Sequence, residues 1–97
     1  MYTVHIEPKQ NGQVAQLVKS AVQAEIARLE VSLGLARKRV APFEAKYKIA
    51  SAKFITTMVA EDLQGGDDEY VQWAGEFKLM QRLEDKLRQL KELRFGA

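Results

Sequence analysis

One pattern of hydrophobic residues constrains the fold of this 97-residue chain more than any other feature. Hydrophobic side chains recur at alternating spacings of four and three residues at Val22, Ile26, Leu29, Leu33, Ala36, Val40, Phe43 and Tyr47. This heptad spacing places them on one side of an α-helix, as in a coiled coil. It predicts a long helix over residues 13–48. Pro42 lies off this side and has no amide hydrogen to bond to the Lys38 carbonyl, so we expect the helix to be bent or broken there.

Two more helices are predicted in the second half of the chain. Ser51 is a candidate N-cap for a short helix over residues 51–63, which Gly65 and Gly66 would end. The apolar face of this helix comprises Phe54, Ile55, Met58 and Val59. The third helix is predicted over residues 67–94, because acidic residues suit the positive end of the helix dipole and basic residues crowd the last turns. Its hydrophobic stripe comprises Tyr70, Trp73, Phe77, Met80, Leu83, Leu87 and Leu90.

The first residues follow a different period. Tyr2, Val4 and Ile6 alternate with polar residues up to Pro8, which is typical of a short β-strand. A strand of this length is not stable alone. Residues 1–8 are therefore predicted to pair with another strand or to form an extended arm.

A long, a short and a long helix fold most simply as an antiparallel helical hairpin, so we predict an all-α single domain over residues 1–97. A hairpin covers only one side of each helix, and four apolar residues of the first helix are left over: Val14, Leu17, Val31 and Leu35. A chain this small buries a thin core. We therefore expect a second contact face and self-association into a homodimer, as a coiled coil or four-helix bundle.

Composition limits the cellular compartments and the kinds of partner that we expect for this chain. The chain has no cysteine, so it has no disulfide framework and no thiolate chemistry. No run of 18 apolar residues is present, and the first residues lack a basic stretch followed by an apolar one, so we expect no membrane partner and a cytoplasmic protein. The net charge of +2 is too small to argue for nucleic acid by itself.

Nothing in the residue pattern predicts catalysis or a cofactor. His5 is the only histidine, and no cysteine accompanies it as a nucleophile. An acidic cluster surrounds Gly65 and Gly66, at Asp62, Asp67, Asp68 and Glu69. It lacks the alternating spacing and terminal glutamate of a calcium-binding loop. A helix end followed by an acidic helix start explains it, so we predict neither an enzyme nor a metal site.

A basic triplet, Arg37-Lys38-Arg39, is the candidate for contact with nucleic acid. A strand followed by two helices is also the order of a ribbon-helix-helix DNA-binding protein. Such a domain needs a turn about a dozen residues into its first helix, and only Gly34 could supply it, in the middle of the heptad pattern. Nucleic acid is therefore the secondary expectation.

Large side chains at helical spacing are the candidates for binding another protein. Tyr70, Trp73 and Phe77 suit a hydrophobic core, yet aromatic residues also dominate protein interfaces. Together with Leu17 and Leu35 they form the set of partner-binding residues predicted from the sequence.

Several segments together resemble a known group of proteins. They are Phe43-Glu-Ala-Lys-Tyr47, Ser51, Phe54, Gly65-Gly-Asp-Asp-Glu-Tyr70, Trp73-Ala74 and a closing Leu-x-x-Leu helix. The chain is similar over residues 15–93 to the small helical antitoxins of prokaryotic type II toxin–antitoxin pairs. It departs from them at Lys48, where that group tends to have glycine, so we expect a less sharp break after Tyr47.

The resemblance implies a non-catalytic protein that masks a toxin with helical surface, by helix-in-groove recognition. A DNA-binding regulator that pairs its N-terminal strand across a dimer, and a structural coiled-coil assembly protein, are the alternatives.

Overall fold

A computed structural model describes residues 3–5, 12–57 and 68–96 of the chain. The elements in chain order are β1 (Thr3–His5), α1 (Gly12–Tyr47), α2 (Ser51–Thr57), α3 (Asp68–Lys91) and β2 (Arg94–Gly96). The helices run long, short, long, which confirms the predicted all-α architecture. The molecule is elongated, with extents of 59, 21 and 19 Å along its principal axes.

The 36-residue helix α1 continues without interruption through Pro42. The sequence predicts a bend or a break there, and the structure shows no break at this residue. Pro42 and Lys38 are both exposed, so water can satisfy the carbonyl that loses its partner. Val40 and Phe43 pack into the core on either side of the proline and hold the turn in helical form.

The boundaries of α2 and α3 agree with the prediction only in part. The helix α2 begins at Ser51 as predicted, and its predicted continuation over residues 58–63 lies outside the described residues. The helix α3 ends at Lys91, not at residue 94, because residues 94–96 form a strand.

The two strands pair with each other in parallel, with Thr3 opposite Arg94 and Val4 opposite Phe95. The prediction that residues near the N-terminus form a strand with a partner is confirmed for Thr3–His5. The partner strand was missed, because Arg94 was read as part of the last turn of α3. The rest of the predicted arm lies outside the described residues.

The helices α1 and α3 pack along their predicted hydrophobic faces in two clusters. The middle of the hairpin is filled by Leu29, Leu33, Ala36, Leu83 and Leu87. Its closed end is filled by Val40, Phe54, Trp73, Ala74 and Phe77. Met80 packs against both clusters and joins them. Burial of these side chains at roughly 25 cal/mol per Å² of apolar surface is the main force that holds the hairpin together.

Ion pairs along the rim report the antiparallel register. As the residue number rises along α1, the number of its partner in α3 falls. The pairs, with the α1 residue first, are Glu30–Lys91 at 3.7 Å, Arg37–Glu84 at 3.4 Å, Arg39–Glu76 at 2.7 Å and Lys46–Glu69 at 2.7 Å. Most of these side chains are well exposed to solvent, so each pair contributes little to the stability of the fold. They accompany the register that the hydrophobic faces impose.

The turn between α1 and α2 is sharp, although it has no glycine. Lys48 adopts the left-handed conformation with a φ of 55°, and its amide donates to the Glu44 carbonyl at 2.8 Å. This is the position at which a helix commonly ends on glycine. The expectation that lysine would soften the break is therefore wrong. The packing of Phe43, Tyr47 and Phe54 around Trp73 holds the turn closed against the strain.

We predict that Lys48→Gly stabilises the fold. Glycine accepts a positive φ freely, whereas a side chain costs about 1 kcal/mol there, so the free energy of unfolding should rise by about that amount. Urea denaturation followed by circular dichroism measures it. Lys48→Ala is the matched control, because it removes the same exposed side chain and keeps the strain. An equal effect of both substitutions would contradict the prediction.

Candidate protein-binding surfaces

Trp73 occupies the centre of an aromatic cluster at the closed end of the hairpin. Its indole is fully buried and stacks on Phe54, with a centroid separation of 3.8 Å and an interplanar angle of 3°. Phe43 and Tyr47 of α1 stack on it at 5.7 and 5.5 Å. Tyr70 meets the rings of Phe54 and Tyr47 edge-on. The cluster therefore joins all three helices.

A buried chain of hydrogen bonds runs beneath these rings. The Trp73 Nε1 donates to Ser51 Oγ at 2.8 Å, and Ser51 Oγ donates to Glu44 Oε2 at 2.7 Å. The Ser51 amide donates to the same carboxylate oxygen at 2.8 Å. The prediction that Ser51 caps its own helix is replaced by this role, in which Glu44 accepts the amide at the start of α2.

These contacts change the interpretation of the aromatic candidates. Trp73 and Phe77 are buried within their own chain, at 0% and 7% exposure, and Tyr70 is half-buried. The hairpin uses the rings of Trp73 and Phe77 to close its own core, and a partner-binding role for Tyr70 stays a prediction. The periodicity that marked them as candidates is the same that marks a core.

The basic triplet divides in the structure. Arg37 pairs with Glu84 and Arg39 pairs with Glu76, so α3 neutralises two of the three cations. Lys38 is exposed and forms no ion pair among the described residues. A single unpaired lysine contributes little affinity for the phosphate backbone of a nucleic acid.

The helix α1 carries a second heptad series outside the face that packs against α3. We call it the outer seam; it comprises Leu17, Ala21, Ala24, Arg28, Val31 and Leu35. All six are exposed, including Leu17 at 69%, Val31 at 66% and Leu35 at 50%. Leu17 and Leu35, two of the predicted partner-binding residues, therefore lie on a free surface of the described chain. The fourth leftover residue, Val14, is half-buried.

A second free surface lies on α3. Val71, Gly75 and Leu79 follow each other at steps of four residues and form the row that we call the α3 row. Val71 is 49% exposed and Leu79 is 36% exposed. Leu79 also shares a shallow groove with Leu35, which brings the margins of the two surfaces together.

An open groove lies between α1 and α3 at the other end of the hairpin. Leu29, Leu90 and Leu93 form its apolar floor, and Glu25, Lys86 and Gln89 stand at its rim. Leu29 is buried and the other two leucines are half-buried. This groove is open and has no convergent polar groups for a small molecule.

Within the described ranges, no group of three or more histidine, cysteine, aspartate or glutamate residues is arranged to hold a metal ion. Two of the four members of the acidic cluster predicted from the sequence, Asp62 and Asp67, lie outside those ranges. Of its members, Asp68 opens α3, and Glu69 accepts hydrogen bonds from Lys46 Nζ and Tyr47 Oη at 2.7 Å each. In the part of the chain that the structure describes, no helix combines the length and the apolar character needed to cross a membrane.

The Glu69 contacts make stability depend on pH. Hydrogen bonds from Lys46 and then from Tyr47 lower the pKa of Glu69 below its ordinary value of 4.5. A carboxylate with a lowered folded pKa stabilises the fold above its unfolded pKa, and the effect is lost as pH falls through the folded value. We predict that Glu69→Gln destabilises the protein at pH 7 and that the two unfolding curves converge as pH falls through the lowered pKa of Glu69. Thermal unfolding between pH 3 and 7 measures this; a constant difference would contradict it.

The Ser51 hydrogen bonds are predicted to stabilise the closed end. Ser51→Ala leaves the buried Trp73 Nε1 without its acceptor and removes one of the two hydrogen bonds to Glu44 Oε2, which should cost about 1–3 kcal/mol. Chemical denaturation followed by tryptophan fluorescence measures the loss, since Trp73 is the only tryptophan. Ser20→Ala, on an exposed turn of α1, is the matched control and should change stability little. A loss as small as that of the control would contradict the prediction.

Comparison with known proteins assigns the chain to no family: no protein-family model, no curated protein and no solved structure matches it.

Proposed function

We propose that the chain is a protein-binding module of the antitoxin type, which neutralises a partner protein by placing apolar helix surface against it. The observation that carries this proposal is the set of large hydrophobic residues that stay exposed after the hairpin has closed its core: Leu17, Val31, Leu35, Val71 and Leu79. Contiguous apolar residues exposed on helices are typical of protein contact sites. The resemblance to antitoxins supplies the class of partner.

The α3 row has the shape of a docking surface for such a partner. Val71 and Leu79 stand two turns apart, and Gly75 between them is exposed and leaves a notch. A Cβ added at Gly75 would meet nothing within 4 Å, so the packing of this chain does not require glycine there. A glycine inside a helix costs about 1 kcal/mol relative to alanine. Close approach of a partner gives this residue a use.

The charges beside the α3 row specify the partner further. Lys78, Arg82 and Lys86 recur every four residues on the same outer face, and none of them forms an ion pair among the described residues. A partner surface with an apolar centre and a carboxylate rim would complement this face. We propose a toxin with such a surface as its occupant.

The alternatives receive less support from the contacts. The DNA-binding hypothesis requires β1 to pair across a dimer, whereas β1 pairs with β2 of its own chain. It also relies on the basic triplet, of which α3 neutralises two members. The structural coiled-coil hypothesis predicts no particular use for Gly75. Catalysis has no candidate residues in the described part of the chain, so we propose a binding function alone.

The proposal is tested by co-expression with the product of the neighbouring gene. We expect that product to slow growth alone, and this chain to restore growth and to co-purify with it. Val71→Asp should weaken the complex roughly 30-fold, as the loss of an interface residue worth about 2 kcal/mol does. Titration by isothermal calorimetry with the purified partner measures it.

Gln81→Asp is the matched control, because it adds the same charge to an exposed position of α3 off the row. It should change the affinity less than three-fold, or about 0.6 kcal/mol. A neighbouring product that neither slows growth nor binds, or equal losses for both variants, would overturn the proposal.

A further inference from the structure

The outer seam of α1 repeats the coiled-coil spacing that the core face of the same helix uses. Its members are separated by four, three, four, three and four residues, from Leu17 to Leu35. Such a series matches the a and d positions of a heptad and buries itself against another helix of the same kind. In this chain α3 covers the other face of α1, and the outer seam remains exposed.

We propose that the occupant of the outer seam is a second copy of this chain, packed antiparallel about a two-fold axis beside residue 26. In this register, the residue numbers of two positions that face each other across the dimer add up to 52. Leu17 then faces Leu35 of the second copy, Ala21 faces Val31 and Ala24 faces Arg28. The most exposed hydrophobic residues are thereby buried against each other, and the small residues face the larger ones.

The charges on the seam select this register. A parallel dimer in register would stack Arg28 on Arg28 and Lys38 on Lys38, which is repulsive. An antiparallel dimer shifted by one heptad would place Lys38 opposite Ala21 and Pro42 opposite Leu17. A shift by two heptads would place Arg28 opposite Lys38. The proposed register alone pairs the leucines and avoids facing cations.

Charge complementarity at the two-fold axis supports the antiparallel arrangement. Within one chain, Arg28 Nε and an Nη donate to the two carboxylate oxygens of Glu25 at 2.6 and 2.7 Å. Glu25 lies beside the seam, at the rim of the groove between α1 and α3. In the proposed register Arg28 is offset from Glu25 of the second copy by one residue, or roughly 1.5 Å along the helix axis. Each Arg28 then lies between two carboxylates, and the four groups form a ring of alternating charge.

The opposite side of the seam allows the helices to approach closely. It is lined by Ser20, Ala27 and Gly34, which are small residues at heptad spacing. A Cβ added at Gly34 would meet nothing within 4 Å, so the hairpin itself has no use for glycine at this position. In the dimer Gly34 lies beside Ser20 of the second copy, where the missing side chain brings the two backbones together.

The seam from Leu17 to Leu35 is roughly 27 Å long at 1.5 Å per residue. It is short and contains a charged residue, so we expect a dissociation constant on the order of micromolar. The dimer buries the α1 members of the exposed hydrophobic set, whereas the docking surface proposed for the partner is the α3 row. The self-association experiment needs only this chain, so its failure is distinguishable from failure of the proposed function.

The test uses introduced cysteines, because the chain has none of its own. Leu17→Cys and Leu35→Cys chains are purified separately and then mixed under a mild oxidant. The antiparallel register places each cysteine beside the other variant's cysteine, so the mixture should form a disulfide-linked dimer. Each variant alone should stay unlinked, because its two cysteines lie roughly 27 Å apart along the axis, well beyond disulfide reach.

The matched control is a mixture of Gln23→Cys and Ala41→Cys chains, which carry their cysteines at exposed positions of α1 off the seam. It should give no cross-linked dimer above background. Cross-linking of Leu17→Cys with itself would show a parallel arrangement and overturn the proposal. Equal cross-linking in the seam and control mixtures would overturn it too.

A charge swap tests the ring at the two-fold axis. We expect Glu25→Arg and Arg28→Glu each to weaken the dimer at least ten-fold in sedimentation equilibrium, and the double variant to recover to within three-fold of the natural chain. Circular dichroism checks that α1 stays helical in all three. A natural chain that is monomeric at 100-fold above micromolar concentration, or a folded double variant that stays monomeric, would overturn the proposal.

Discussion

The burial of Trp73 is the interaction on which the rest of the hairpin depends. Its ring packs against Phe43 and Tyr47 of α1 and Phe54 of α2, and its nitrogen is satisfied by Ser51 at the start of α2. A large aromatic side chain buries up to about 250 Å² and needs a partner for its one donor. Both needs are met by residues within a few positions of the turn at Lys48. The left-handed conformation of that lysine lies in the turn that brings Phe54 and Ser51 to the indole.

Periodicity was sufficient to predict most of the architecture. The series from Val22 to Tyr47 and from Tyr70 to Leu90 have enough members to fix the type of each helix and its buried side, and packing then sets the antiparallel hairpin. Local signals were less reliable. Pro42 predicts a break when read alone, but one proline on an exposed face does not outweigh core contacts on both sides. Residues 94–96 have no alternation, so the strand that they form depends on a pairing that no local pattern reveals.

The candidate surfaces could be predicted only in part, for a related reason. A heptad series predicts that its residues are buried, but it does not indicate whether their own chain or another chain buries them. Leu17 and Trp73 therefore gave the same signal, and only the three-dimensional arrangement separates the 69% exposed leucine from the fully buried tryptophan. The roles of Glu44 and Ser51 carried no signal at all, because a buried polar contact between residues seven apart has no sequence pattern. Gly34 and Gly75 became candidate contact residues only when the structure showed open space around both, because packing within the chain does not require glycine there.

The two seams of α1 share no residue, although they run along the same 36-residue helix. Each position contributes either to the interior of the hairpin or to its outside, because the two series lie on different faces of the helix. The outer seam can therefore change in hydrophobicity or charge while the core face stays as it is. For a lineage of such chains, this separation would let contact specificity diverge between copies without a matching loss of fold stability. The core face of α1 would then specify the fold, and the outer seam would specify the binding partner.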